Sequence, residues 1–193
     1  MTKTLNIGRP LKSARQLSKQ LVLQTALPIV QKNGADNLSF RLLAEKLNVT
    51  PMAVKYHAGS KRDLLASFVE LAFKDMLEED VGRSAKNKIR NLLSAYHKRA
   101  SINANLLRAV LNDTELMSND LIEITNTLQA CTRELNNGDQ DSVLMHLLID
   151  YTHGFVLSSS SDENKHLTIE NYLRGVDWVL ESAEHRSQPG LPY

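Results

Sequence analysis

A single cysteine, Cys131, occurs in 193 residues. It excludes an internal disulfide and any cysteine-based zinc site, reads as a small helix-packing residue, and fits a reducing cytoplasm. No apolar run approaches the length needed to cross a bilayer, so no membrane partner is expected, and the N-terminus is basic and polar rather than signal-like. Aromatics are only 5% of the chain, strand-like alternation is absent, and no solenoid-type repeat occurs; the chain reads as all-α. Also missing are a GxGxxG, a P-loop and an HExxH. Without them there is no motif for an enzyme, and no catalytic residue, cofactor or metal is assigned. What is present is a 42% hydrophobic fraction, enough for a real core and unlike a disordered composition.

Acidic residues are nearly absent from the first third. Residues 1–62 hold eleven Lys/Arg against two acids, Asp36 and Glu45, a net of +9, whereas residues 63–193 hold twelve against twenty, a net of −8. The overall +1 hides a basic head on an acidic body, the polarity of a protein that touches a polyanion at one end. Charge alone leaves a solvated basic face equally open.

Local signals divide the chain near residue 62. Residues 1–12 read as a mobile basic arm. Apolar spacing at Leu17, Leu21, Ala26, Leu27, Ile29 and Val30 predicts helix 1 over about 13–33, stopped by Gly34 and kinked at Pro28. Ser39 is an N-cap for a short helix to Leu47, and Thr50-Pro51 opens another that ends near Tyr56-His57. Ser60 to Asp63 has capping-box form and starts a long helix to about Val81, with Leu64, Leu65, Phe68, Leu71, Ala72 and Met76 on its apolar side. Further helices are expected at 85–101, 103–111, 118–135, 140–157 and 167–185, with a polar loop at 158–165 and a Pro/Gly tail at 188–193.

The stretch Phe40–Tyr56 has the grammar of a helix-turn-helix. Ala44 is small where two helices cross, and Asn48 stands four residues later, where the turn requires a left-handed backbone. Leu43, Leu47, Val49 and Val54 supply the locking contacts. In such a unit the second helix enters the major groove; a purely structural helical hairpin needs similar residues.

Leu38-Ser39-Phe40-Arg41-Leu42-Leu43-Ala44-Glu45-Lys46-Leu47-Asn48-Val49, then Val54-Lys55-Tyr56-His57 and Lys61-Arg62-Asp63-Leu64-Leu65, resembles the N-terminal domain of the tetracycline-repressor (TetR) family. Residues 150–157 (DYTHGFVL) also resemble the penultimate core helix of that family's C-terminal domain. The resemblance implies a bacterial homodimer with a three-helix DNA-binding domain (1–62) and a helical ligand-sensing and dimerisation domain (63–193). Its partners would be a palindromic double-stranded operator and a small-molecule effector. It also implies that Arg41 reaches a base edge or phosphate and that Thr50, Pro51, Met52 and Lys55 face the groove, with Tyr56, His57 and Lys61 clamping phosphates. Tyr56 reads alternatively as a partly buried helix-end aromatic. The chain departs from the family at Lys55, where Tyr is more usual, and at Ala58-Gly59, which replace the usual aromatic and its neighbour.

In the body, Val143, Leu144, Leu147, Leu148, Tyr151 and Phe155 form an apolar face wide enough for both core and partner, and Gly154 permits close helix approach either across the dimer or within one subunit. His146, Asp150 and His153, at i, i+4 and i+7, read as a pocket row, a metal site, or a solvated or interface stripe. Phe73, Met76 and Tyr96 are candidate pocket walls, though each serves equally as plain core. Ser158 and Val110 stand where tetracycline-binding relatives need an acid and a His, so tetracycline is not the expected ligand. Two other classes stay open: a nonspecific architectural DNA binder, and a helical carrier or enzyme for a phosphorylated ligand.

Overall fold

A computed structural model describes residues 17–78, 84–160, 164 and 166–186. The predicted N-terminal arm and C-terminal tail lie outside these residues. Within them the chain is all helical. A head is built from α1 (Lys19–Asn33), α2 (Phe40–Leu47) and α3 (Pro51–Ala58), and α4 (Lys61–Phe73) leads out of it. The body comprises α5 (Ala85–Ile102), α6 (Ala104–Asn112), a 3-10 turn at Thr114–Leu116, α7 (Asn119–Leu135), α8 (Val143–Ser159) and α9 (Ile169–Arg186).

The caps carry most of the boundaries. Ser18, Ser39, Thr50, Ser60, Ser84 and Ser118 each accept a backbone N–H in the first turn of the helix they precede. Helix α1 is continuous through Pro28 and ends at Asn33, with Gly34 as its C-cap, as the sequence predicts. Helix α4 stops at Phe73, short of the expected Val81, because Lys74 is extended and Asp75 takes a left-handed conformation at φ 58°. Arg99 closes that end by donating to the Ala72 carbonyl at 3.1 Å and to that of Lys74 at 3.4 Å. The buried face of α4 is Leu64, Leu65, Phe68, Val69 and Phe73, while Leu71 faces out. Helix α8 starts at Val143 rather than 140, because the Asp139 carboxylate accepts from the Val143 and Leu144 N–H groups at 2.8 and 2.9 Å.

The core is continuous from Val22 and Val30 in the head, through Phe68 and Phe73, to Leu148, Tyr172 and Leu180 in the body. Helices α8 and α9 approach closely at Gly175, where the Tyr151 ring occupies the space a Cβ would need; the Tyr151 hydroxyl donates to the Tyr172 carbonyl at 3.3 Å. Gly154, the glycine singled out from sequence, meets nothing within 4 Å and is exposed.

Candidate nucleic-acid interface and buried cavity

Helices α2 and α3 cross on Leu43, Ala44 and Val54, all buried. Between them Asn48 adopts φ 54° and ψ 47°, and the Val49 N–H donates to the Ala44 carbonyl at 3.0 Å. The short side chain of Asn lowers the cost of this left-handed residue. Arg41, Thr50, Pro51, Met52, Lys55 and Tyr56 are exposed, with Met52 at 75% and Tyr56 at 85%, while His57 and Lys61 are half-buried. Tyr56 packs edge-on to His57, ring centroids 5.2 Å apart, and is not a buried helix-end aromatic. Helix α3 thus exposes an ammonium, a phenol and apolar tips to solvent.

Gly59 explains the departure at the end of α3. Its φ of 76° and ψ of −140° suit glycine alone, and a Cβ there would collide with the Asp63 carboxylate. That carboxylate accepts from the Ser60 N–H at 2.7 Å while the Ser60 hydroxyl accepts from the Asp63 N–H at 3.1 Å, completing the capping box. The Ser60 N–H holds the Asp63 carboxyl below the usual carboxylate range.

Behind the head lies a cavity of about 120 Å³, walled by residues from five helices, among them Phe73, Tyr96, Val110, Ile124 and His153. Its lining is almost wholly apolar. The main polar feature is the pair Tyr96–His153, with Oη and Nε2 2.9 Å apart. Burial pushes the Tyr96 phenol up and the His153 imidazole down, the latter partly offset by Asp150. Phe73 stacks on Tyr96 with centroids 5.5 Å apart.

The pocket candidates therefore separate. Phe73, Tyr96 and His153 line the cavity. Met76 does not; it is buried beside an adjoining cleft edged by Asp75, Asp120 and Glu123. His146 and Asp150 are exposed on α8; positions i and i+7 differ by only about 20° around a helix but by about 10 Å along it, and of the row only His153 is level with the cavity. No group of three metal-ligating side chains occurs among the described residues. The walls from α6 and α7, including Leu107, Ile124 and Leu128, were not singled out from sequence. Their only signal is helical apolar spacing, which plain core shares.

One segment serves both head and cavity. Residues 103–116 supply Leu107, Val110 and Thr114 to the cavity wall. The same segment holds the head in two places. Gln31 Nε2 donates to Asn103 Oδ1 and Asn105 Nδ2 to the Gln31 carbonyl, each at 2.9 Å. At the start of α4, Arg62 bridges Asp113, at 3.1 Å, and Glu115.

A basic helix-turn-helix head coupled to a helical body with an apolar cavity is the fold of the TetR-type regulators. Among solved structures sharing it is BioQ of Mycobacterium smegmatis, 21% identical, with a TM-score of 0.72 over 88% of this chain and 99% of that one. BioQ with its natural double-stranded DNA operator matches at 22% identity and a TM-score of 0.71, again over 88% and 99% of the two chains. A TetR variant of Acinetobacter baumannii AYE in complex with minocycline matches at 18% identity and a TM-score of 0.66, over 90% and 99%. No family model matches the sequence, and no curated protein matches it. No helix among the described residues is long and apolar enough to cross a membrane.

Proposed function

We propose that this chain is a homodimeric, sequence-specific DNA-binding repressor of the bacterial cytoplasm, released from a palindromic operator by a small molecule. The observation that carries the reading is the double duty of residues 103–116, which wall the cavity and grip both α1 and α4 of the head. An occupant of the cavity presses on the segment that sets the angle of the reading heads. That gives it different contact energies in two head positions, the requirement for any ligand to shift an equilibrium.

The head supplies the reader. Arg41, Thr50, Pro51, Met52 and Lys55 are assigned to the groove, and Tyr56, His57 and Lys61 to phosphates. BioQ, which shares this fold, has been crystallised on a DNA operator. Dimerisation is assigned to α8 and α9, where Val143, Leu147 and Trp178 are 62%, 51% and 68% exposed beside His146, Asp150 and Gly154. So apolar a strip on two neighbouring helices suits a two-fold partner, which would bring two heads to successive major grooves.

The deciding experiment titrates the protein, at several salt concentrations, against duplexes covering the DNA beside its own gene, with random duplex as control. Selective binding at two protomers per site, with a steep salt slope, is the expected result. Equal affinity for random DNA would make the protein an architectural binder instead.

A further inference from the structure

We infer that the cavity accepts an uncharged, single-ring molecule carrying one hydroxyl group, a ligand of the phenol class. The inference rests on the effector-binding reading above and names the chemistry of the effector's site. Three features of the cavity lead to it.

The first is size. A dry apolar cavity of ~150 Å³ takes up benzene, and this one measures about 120 Å³. One six-membered ring fills it, whereas a fused bicycle must part the inner walls or project past Leu111 and Thr114 at its exposed edge. The inner walls are well seated: Leu107 and Leu128 are both 2% exposed.

The second is charge. None of the described lining residues is Lys, Arg, Asp or Glu. An ionised carboxylate or ammonium entering this space would leave water without a counter-ion, a penalty that weakens binding at least about tenfold. His153 does not supply a positive charge, since its burial favours the neutral imidazole. Carboxylates and ammonium ions of the same size are therefore disfavoured.

The third is the polar pair. In the Tyr96–His153 hydrogen bond the imidazole has two neutral tautomers. If Nε2 accepts the phenol proton, the Tyr96 oxygen keeps a lone pair for a ligand donor. If Nε2–H donates to that oxygen, the Tyr96 proton is free for a ligand acceptor. A hydroxyl is both donor and acceptor and satisfies either arrangement. A purely hydrocarbon ligand would fill the cavity while leaving that capacity unused, and would bind less tightly.

The test is calorimetric titration of the full-length protein at pH 8 with four probes: phenol, toluene, benzoate and 2-naphthol. Phenol should bind about 5- to 10-fold tighter than toluene, the worth of one hydrogen bond, while benzoate and 2-naphthol should bind at least about tenfold more weakly than phenol. The double variant Tyr96→Phe, His153→Leu should lose the preference for phenol over toluene while still binding toluene, which also reports that the cavity is intact. Should that variant not fold, the wild-type ranking of the four probes decides alone. Benzoate or 2-naphthol binding as tightly as phenol, or no preference for phenol over toluene, overturns the inference. Operator titration without ligand separates the two readings. Operator binding without phenol binding sinks this one alone, and phenol binding without operator binding sinks the repressor alone.

Discussion

The guanidinium of Arg62 lies 3.1 Å from the Asp113 carboxylate, joining the first turn of the helix that leaves the head to the end of the helix that walls the cavity. Both side chains are about half-exposed, so the pair adds little to stability. Its position, linking residues 51 apart across the two modules, suits a coupling role. Replacing Arg62→Ala should leave operator affinity within a few-fold and the melting temperature nearly unchanged. The effector-induced loss of operator affinity should shrink by about 2- to 30-fold, the range of coupling energies typical of such residues. Fluorescence anisotropy on operator DNA, with and without ligand, reads the difference; an undiminished ligand effect would show that coupling runs elsewhere.

Gly59 is the second point of sensitivity. Gly59→Ala places a Cβ at φ 76° and against the Asp63 carboxylate, so the strain and the loss of the Ser60–Asp63 box act together. A destabilisation of about 2 kcal/mol is expected, measurable as a lower urea midpoint with unchanged slope. A neutral outcome would mean that the turn can rearrange without loss.

Lys61 and Arg41 should behave differently on DNA. As a phosphate contact, Lys61 on replacement by Ala should weaken operator and random duplex alike and lower the salt slope by about one. Arg41→Ala relaxes discrimination at one operator position by about 1–3 kcal/mol if it reads a base edge. Uniform weakening by Arg41→Ala would assign it to a phosphate instead.

His97 gives the protein an acid-sensitive core. It is 6% exposed, lies flat on Tyr172 at 4.3 Å, and has no hydrogen-bond partner for either ring nitrogen among the described residues. Burial lowers its pKa from the ordinary 6.5. A histidine with a depressed folded pKa is neutral in the native state, so the unfolded chain binds more protons as pH falls below 6.5. Stability is therefore full above that pH and declines as pH drops through the folded value. His97→Phe should flatten part of this decline between pH 7.5 and 5, with His153 contributing the remainder in the same direction. Urea melts across that range, identical for variant and parent, would contradict it.

The α8–α9 face yields to a simple charge test. Leu147→Asp puts a carboxylate on the exposed apolar strip beside Val143 and Trp178. Light scattering should report a dimer for the parent and a monomer for the variant, with helical circular dichroism retained. A variant that remains dimeric would place the interface on another face.

What could be read in the residues follows from how local each signal is. The turn at Asn48 and the caps at Ser39, Thr50 and Ser60 depend on atoms three or four residues apart, so spacing alone revealed them. The end of α4 was missed because it depends on Arg99, 25 residues from Lys74, reaching back to close it. Glycine roles depend on equally distant partners. Gly154 meets nothing within 4 Å in its own subunit, whereas Gly175 is where Tyr151 lands, and only the pairing of α8 with α9 decides that. In the His146, Asp150, His153 row the shared helical spacing is real, yet the neighbours of α8 determine which member meets the cavity. Cavity walls such as Ile124 and Leu128 differ from core only by an atom missing opposite them, which no pattern along the chain records.

Helix α4 is pinned to the body at both ends, by Arg62 at its start and by Arg99 at its finish. A thirteen-residue helix is about 20 Å long, so it behaves as a short beam on two bearings. If the Asp113 bearing moves by ~2 Å while the Arg99 bearing holds, the beam swings by roughly 6° on that length. Because α3 is joined to its moving end through Gly59, the swing is delivered to the helix proposed to enter the groove. In the proposed regulator a small displacement around the cavity would thereby become a change of angle at the DNA.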